Sequence, residues 1–124
     1  MKNYLLDSVI LIDHFNGQPE ATQFILEHRD TLSISVITRA EVLTGFDPVA
    51  EVLAKAFLSH FQTHELTLED ADLAASLRRD NRWKLPDALQ AAVAINRRLI
   101  LVTRNSKDFA PGKHAFVYIP YRLK

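Results

Sequence analysis

Along the whole chain, short apolar runs alternate with longer stretches of helical period. Apolar side chains recurring every three or four residues mark one face of a helix. An unbroken apolar run bounded by polar residues fits a strand buried on both faces. On this reading the first strand runs from Asn3 to Leu6, and a helix follows from Ser8 to about Phe15, stopped by Asn16-Gly17. Pro19 suits the first turn of a second helix reaching His28, with Phe24, Ile25 and Leu26 on its apolar side. Thr31 to Ser35 reads as the second strand. Thr38 and Glu41 then make a Thr-x-x-Glu capping pattern that opens a short helix ended by Gly45.

In the second half, Asp47-Pro48 reads as a cap and first-turn proline. Val49, Val52, Leu53, Ala56, Phe57 and Phe61 follow at helical spacing. This apolar face has two readings, a docking surface or plain core, and core is the simpler expectation. His64 to Leu66 is a short third strand, and Thr67 with Asp70 repeats the capping pattern. Leu73, Ala74 and Leu77 form the buried side of the next helix, and Arg78 to Arg82 reads as a loop. Pro86 starts a helix from Asp87 to about Asn96, so apolar that it must be buried on several sides. Leu99 to Val102 has the continuous apolar character of a central parallel strand. A polar turn, Thr103 to Asp108, leads through Pro111-Gly112 to a last strand, Ala115 to Ile119. Repeated strand–helix alternation with right-handed crossovers predicts an α/β protein, a three-layer α/β/α sandwich around a small, mainly parallel sheet.

Composition narrows the class. A length of 124 residues fits one compact domain, 1–124, and 48% hydrophobic residues can fill a core. The absence of cysteine excludes a disulfide framework, a thiolate zinc site and a cysteine nucleophile together. Asp7 and Asp13 interrupt the first apolar stretch too early for a signal peptide, and no window reaches the roughly 20 apolar residues of a membrane span. A soluble, cytoplasmic protein is expected. Fifteen basic and fifteen acidic residues cancel, which argues against a broad electrostatic grip on nucleic acid. A local basic rim remains available from Arg104 and Lys107, Arg78 and Arg79, and Arg82 with Lys84.

The candidate chemistry lies in carboxylates at strand-to-helix junctions. Asp7 closes the first strand in LLDSVILID, Glu41 follows the second in SVITRAEVLTG, and Asp87 heads the apolar helix in LPDALQAAVA. In open α/β sheets such junctions gather along one edge, so distant acids converge in one crevice. Converging carboxylates repel unless a hard cation holds them, and oxygen ligands suit magnesium or manganese. Each acid also has a local explanation: Asp7 caps the helix at Ser8, Glu41 completes the box with Thr38, and Asp87 favours its helix dipole. After the central strand, Thr103 and Asn105 stand closest to the expected crevice, with Asp108 further on; Asp13 is the weakest candidate. The five histidines are scattered. There is no Gly-rich phosphate loop and no Gly-x-Ser-x-Gly elbow, and Trp83 is expected to pack against the body.

At these four blocks, ending with LVTRNSKDF, the sequence resembles the PIN-domain family and, within it, the VapC-type toxins of toxin–antitoxin pairs. The resemblance covers nearly the whole chain and implies a PIN-like fold and a magnesium- or manganese-dependent endoribonuclease. Asp7, Glu41 and Asp87 match the family's core acids as catalytic and metal-binding groups, and Asp108 or Asn105 supplies the fourth position. Ser8, Thr103, Arg104 and Asn105 are the expected substrate-side groups, with Lys107 and Arg39 steering the strand. The resemblance further implies an RNA substrate, a small antitoxin lying over the acidic groove, and a homodimer. One departure is Val9, where the family usually has a second polar residue. Two other readings stand beside the nuclease: a PIN-fold binding module with impaired catalysis, and a receiver-like signalling domain. The latter lacks the adjacent acidic pair it needs.

Overall fold

The computed structural model describes residues 3–110 and 112–123. Five strands, β1 (Tyr4–Leu6), β2 (Leu32–Ser35), β3 (Gln62–His64), β4 (Ile100–Val102) and β5 (Val117–Tyr118), form one sheet. Every pairing is parallel and the order is β3-β2-β1-β4-β5. Among the described residues the α-helices are α1 (Ser8–Phe15), α2 (Pro19–His28), α3 (Val36–Thr44), α4 (Pro48–Leu58), α5 (Leu68–Asn81) and α6 (Leu85–Asn96).

The alternation of side chains along the strands divides the core into two layers. Leu5 and Leu101, opposite each other in register, pack with Ala88, Ala91, Ala92 and Phe109 on the α5–α6 side. Their neighbours Leu6 and Val102 point the other way and pack with Ile10, Leu11, Phe24, Val42 and Leu58 from α1 to α4. The expected three-layer α/β/α arrangement is therefore the observed one, with the sheet parallel throughout.

Local signals explain most element ends. Gly17 takes a positive φ of 82° after α1, which accounts for the Asn16-Gly17 stop. Asp47 caps α4 through the amides of Val49 and Ala50. Thr67 and Asp70 form a reciprocal capping box on α5.

Several expectations need correction. The box expected between Thr38 and Glu41 does not form. Ser35 caps α3 by accepting from the Thr38 amide, so Glu41 sits in the second turn, free of any capping duty. β3 lies two residues earlier than expected, because α4 ends at Leu58 and the chain re-enters the sheet at Gln62. The arginine-rich stretch, loop-like in sequence, is the last turn of α5, which continues to Asn81 and stops where Arg82 turns left-handed at φ 59°. α6 begins two residues earlier than expected, at Leu85. β5 holds only two residues of the expected Ala115–Ile119 strand. Pro111, part of the expected turn before it, lies outside the described residues. The face of α4 is not simply core: Ala54 and Leu58 are buried, but Val49, Val52 and Leu53 are 84%, 67% and 77% exposed.

Candidate active site

The sheet order reverses direction between β1 and β4, the place where an open parallel sheet leaves a crevice beyond its strand ends. Asp7 follows the last residue of β1 and Thr103 the last residue of β4, so both stand at the strand ends beside that crevice. Asp7 is pinned from three sides. Its Oδ1 accepts from the Ser8 amide at 2.8 Å and from Gln90 Nε2 at 3.3 Å; its Oδ2 accepts from the Thr103 hydroxyl at 2.7 Å. It is thus a helix cap and a site residue at once.

The remaining acids arrive from other elements. Ser8 donates its hydroxyl to Glu41 Oε1 at 3.0 Å, tying α3 to the start of α1. Asp87 stands in the first turn of α6, where no side chain caps the helix. Asp7, Ser8, Val9, Glu41, Asp87, Arg104, Asn105, Ser106 and Lys107 line one open cavity of about 450 Å³. Asp108 does not line it. Its carboxylate accepts from Asn105 Nδ2 at 3.0 Å and its amide donates to Asn105 Oδ1, so Asn105 faces the cavity with Asp108 behind it.

Proton affinities report the crowding. Burial pushes Asp7 up, against the hydrogen bonds from Thr103, Ser8 and Gln90. Burial also raises Glu41, with Ser8 opposing and the Asp7 charge adding. Asp87 is pushed up to about 6 by burial and then by the charges of Asp7, Asp108 and Glu41, with Lys84 opposing. Carboxylates that raise one another in this way favour the approach of a cation.

Among the described residues, no three His, Cys, Asp or Glu side chains are close enough together to hold an ion as they stand. The donors nevertheless fit a hydrated hard cation: all are oxygens, and the cavity is roomy. Magnesium characteristically keeps several waters and takes only one or two carboxylates directly.

Two expected substrate-side groups are already engaged. Thr103 is fully buried, donating to Asp7 and accepting from the Asn105 amide, so it orients the site from behind and does not line the cavity. Arg104 lines the cavity but binds Asp13 bidentately through Nε at 2.7 Å and Nη2 at 2.9 Å. Asp13, expected to be the weakest candidate, is a buried anchor that also accepts from the Tyr121 hydroxyl at 2.7 Å. Burial favours its neutral form, but Arg104 and Tyr121 hold its carboxyl below the ordinary range. Trp83 packs into the core, with its indole N–H donating to the Asp108 carbonyl.

Gln90 was not singled out in the sequence. It is buried and links Asp7, Ser35 and Thr38 beneath the cavity floor. The signal was present: an amide in the middle of an apolar helix, three residues after Asp87 and so on the same face.

The profile of the PIN domain matches residues 4–110, and the chain belongs to that family. A chain in a toxin–antitoxin complex from Klebsiella pneumoniae is 37% identical, superposes with a TM-score of 0.90, and is covered in full by 98% of this chain. A chain of DNA-bound VapBC from Salmonella typhimurium, 19% identical, shares the fold at a TM-score of 0.81 over 95% of this chain and 98% of that one. A chain of VapBC2 from Rickettsia felis does so at 0.78 with 20% identity, over 98% of each. No curated protein matches.

Proposed function

We propose that this chain is the toxin of a toxin–antitoxin pair and acts as a divalent-metal-dependent endoribonuclease in the cytoplasm. The observation that carries the reading is the meeting of Asp7, Glu41 and Asp87 around one cavity at the switch point, with Asp87 raised to about 6 by burial and then by its acidic neighbours. Asp7, Glu41 and Asp87 would hold magnesium or manganese, with Asn105 or, behind it, Asp108 completing the shell. Once bound, such an ion lowers the pKa of a coordinated water and polarises the phosphodiester. The protein's own part is positional. Thr103, Ser8 and Gln90 fix both oxygens of Asp7 before substrate arrives, and Ser8 holds Glu41 in the same frame. Lys107 and Arg104 line the same cavity and would meet the phosphate charge there.

The partner assignments belong to the same proposal. The Klebsiella relative was solved as a toxin–antitoxin complex. The exposed Val49, Val52 and Leu53 on α4 give this chain an apolar face of the kind a small antitoxin would cover, and a homodimer is expected. A PIN-fold binding module without catalysis is the second reading, favoured by Val9, which places an apolar side chain in the cavity wall.

The deciding experiment compares RNA cleavage in manganese by wild type, Asp7→Asn and Asp87→Asn, each checked for folding. Cleavage lost in both variants and abolished by chelation supports the nuclease. Cleavage retained in the folded variants refutes the site, and manganese binding without cleavage by wild type selects the binding module.

A further inference from the structure

A second cavity, of about 540 Å³, opens on the other side of the first turn of α6. It is lined by Ala71, Ala75, Arg78, Arg79, Arg82, Trp83 and Leu85. Ala71, Ala75, Arg78 and Arg82 recur every three or four positions, so two alanines make a shallow floor and two arginines close its end. Leu85, half exposed, and the edge of the buried Trp83 give it an apolar wall. Asp72 and Asp80 belong to the same helix but do not line it. Among the described residues, none of the three arginines is ion-paired, whereas Arg97 and Arg104 each have a carboxylate partner. In a chain of zero net charge, this is a dense group of cations whose hydrogen bonds go to a carbonyl and a hydroxyl and not to a carboxylate.

We infer that this cavity binds the phosphodiester backbone of the RNA that threads the acidic cleft, and so helps set which substrates the enzyme holds. The inference rests on the nuclease reading above. Leu85 lines the arginine cavity and Asp87, two residues on, lines the acidic one, so the two share a single helical turn. The Trp83 indole donates to the Asp108 carbonyl, which fixes the arginine cavity's wall to the loop carrying Asn105. A cluster of carboxylates repels a polyanion, so a strand crossing it needs cations beyond the scissile bond. Arg104 is largely committed to Asp13. Guanidinium groups match phosphate oxygens in a fork geometry, and an apolar wall beside them suits a sugar or base face.

The test uses Arg79→Gln combined with Arg82→Gly. Arg78 is kept because its Nε holds the Trp83 carbonyl, and glycine at position 82 suits the left-handed backbone there. Affinity for single-stranded RNA oligonucleotides, long and short, is measured from 50 to 200 mM salt in the Asp7→Asn background, so that nothing is cut. Each single-strand phosphate contact adds about 0.7 to the slope of log affinity against log salt. Two lost contacts should flatten it by about 1.4, which is roughly a sevenfold smaller loss over that range. An oligonucleotide too short to leave the acidic cleft should show no difference. Equal slopes on the long RNA overturn the inference. So does a double variant with unchanged RNA binding that loses its dimer or a co-expressed protein partner, since the arginines then serve a protein carboxylate. If the proteins with Asp7 intact cut no RNA while the slope still falls, the nuclease reading fails and the phosphate site stands.

Discussion

Replacing Asp87 by Asn should stabilise the metal-free protein at neutral pH. The folded carboxyl takes up its proton near pH 6 against an ordinary value of 3.8, raised by burial and then by Asp7, Asp108 and Glu41. Between those two pH values the unfolded chain has released this proton and the folded chain has kept it. Raising the pH through this window therefore favours unfolding. The stability associated with protonated Asp87 is complete below pH 3.8 and gone above about pH 6. At about 1.4 kcal/mol per pH unit, the shift corresponds to about 3 kcal/mol, reduced to roughly 2 by solvent screening at a half-open site. Urea denaturation of wild type and Asp87→Asn in chelator should show the variant ahead by about 2 kcal/mol at pH 7.5, with the gap closing by pH 4. Manganese should reverse the order, because it stabilises only the protein that can bind it. A variant no more stable than wild type at pH 7.5, with a gap that ignores pH, would refute the claim that burial and the neighbouring acids together hold this proton.

Gln90→Leu keeps the volume but leaves Asp7, Ser35 and Thr38 short of a partner. It should cost about 1–3 kcal/mol in denaturation and lower RNA cleavage about 10- to 100-fold, with substrate affinity little changed. Asp70 is buried, and although burial disfavours its charge, Arg97, Asn96 and the Thr67 amide hold its carboxyl well below the ordinary 3.8. Its contribution is present above pH 3.8 and lost as pH falls through the depressed value, and Asp70→Ala should destabilise by about 3–5 kcal/mol at pH 7. Tyr121→Phe removes the hydroxyl on Asp13 and should cost about 1–2 kcal/mol while leaving the Arg104 pair intact, as read by thermal unfolding. Leu53→Lys on exposed α4 should leave stability within about 0.5 kcal/mol and weaken antitoxin binding in a pull-down with the co-expressed partner.

The layers were legible because each strand of the central pair is apolar on both faces: Leu5 and Leu6, then Leu101 and Val102, leave no polar side for solvent. Asp7 and Asp87 were legible because they punctuate apolar runs at element starts. Glu41 was ambiguous, since Ser35 and Thr38 both offer a cap and only the helix start decides between them. The end of α5 was not legible because Arg78-Arg79-Asp80-Asn81 has loop-like polarity, and the helix continues there while facing solvent. The Asp13–Arg104–Tyr121 clamp could not be seen, because its hydroxyl and guanidinium lie 108 and 91 residues from the acid and follow no local pattern. The exposed face of α4 was hidden for another reason: a helix packed on the core and one awaiting a partner carry the same periodicity.

The most direct measurement is calorimetric titration of manganese into the purified protein in buffers of different ionisation enthalpy, which counts the protons displaced as the ion binds. Binding should release at least about half a proton at pH 6, where Asp87 is half protonated, and fewer at pH 8. It should be lost in Asp7→Asn. Manganese uptake that is undiminished in Asp7→Asn, or that displaces no proton at pH 6, would contradict a cation held between Asp7, Glu41 and Asp87.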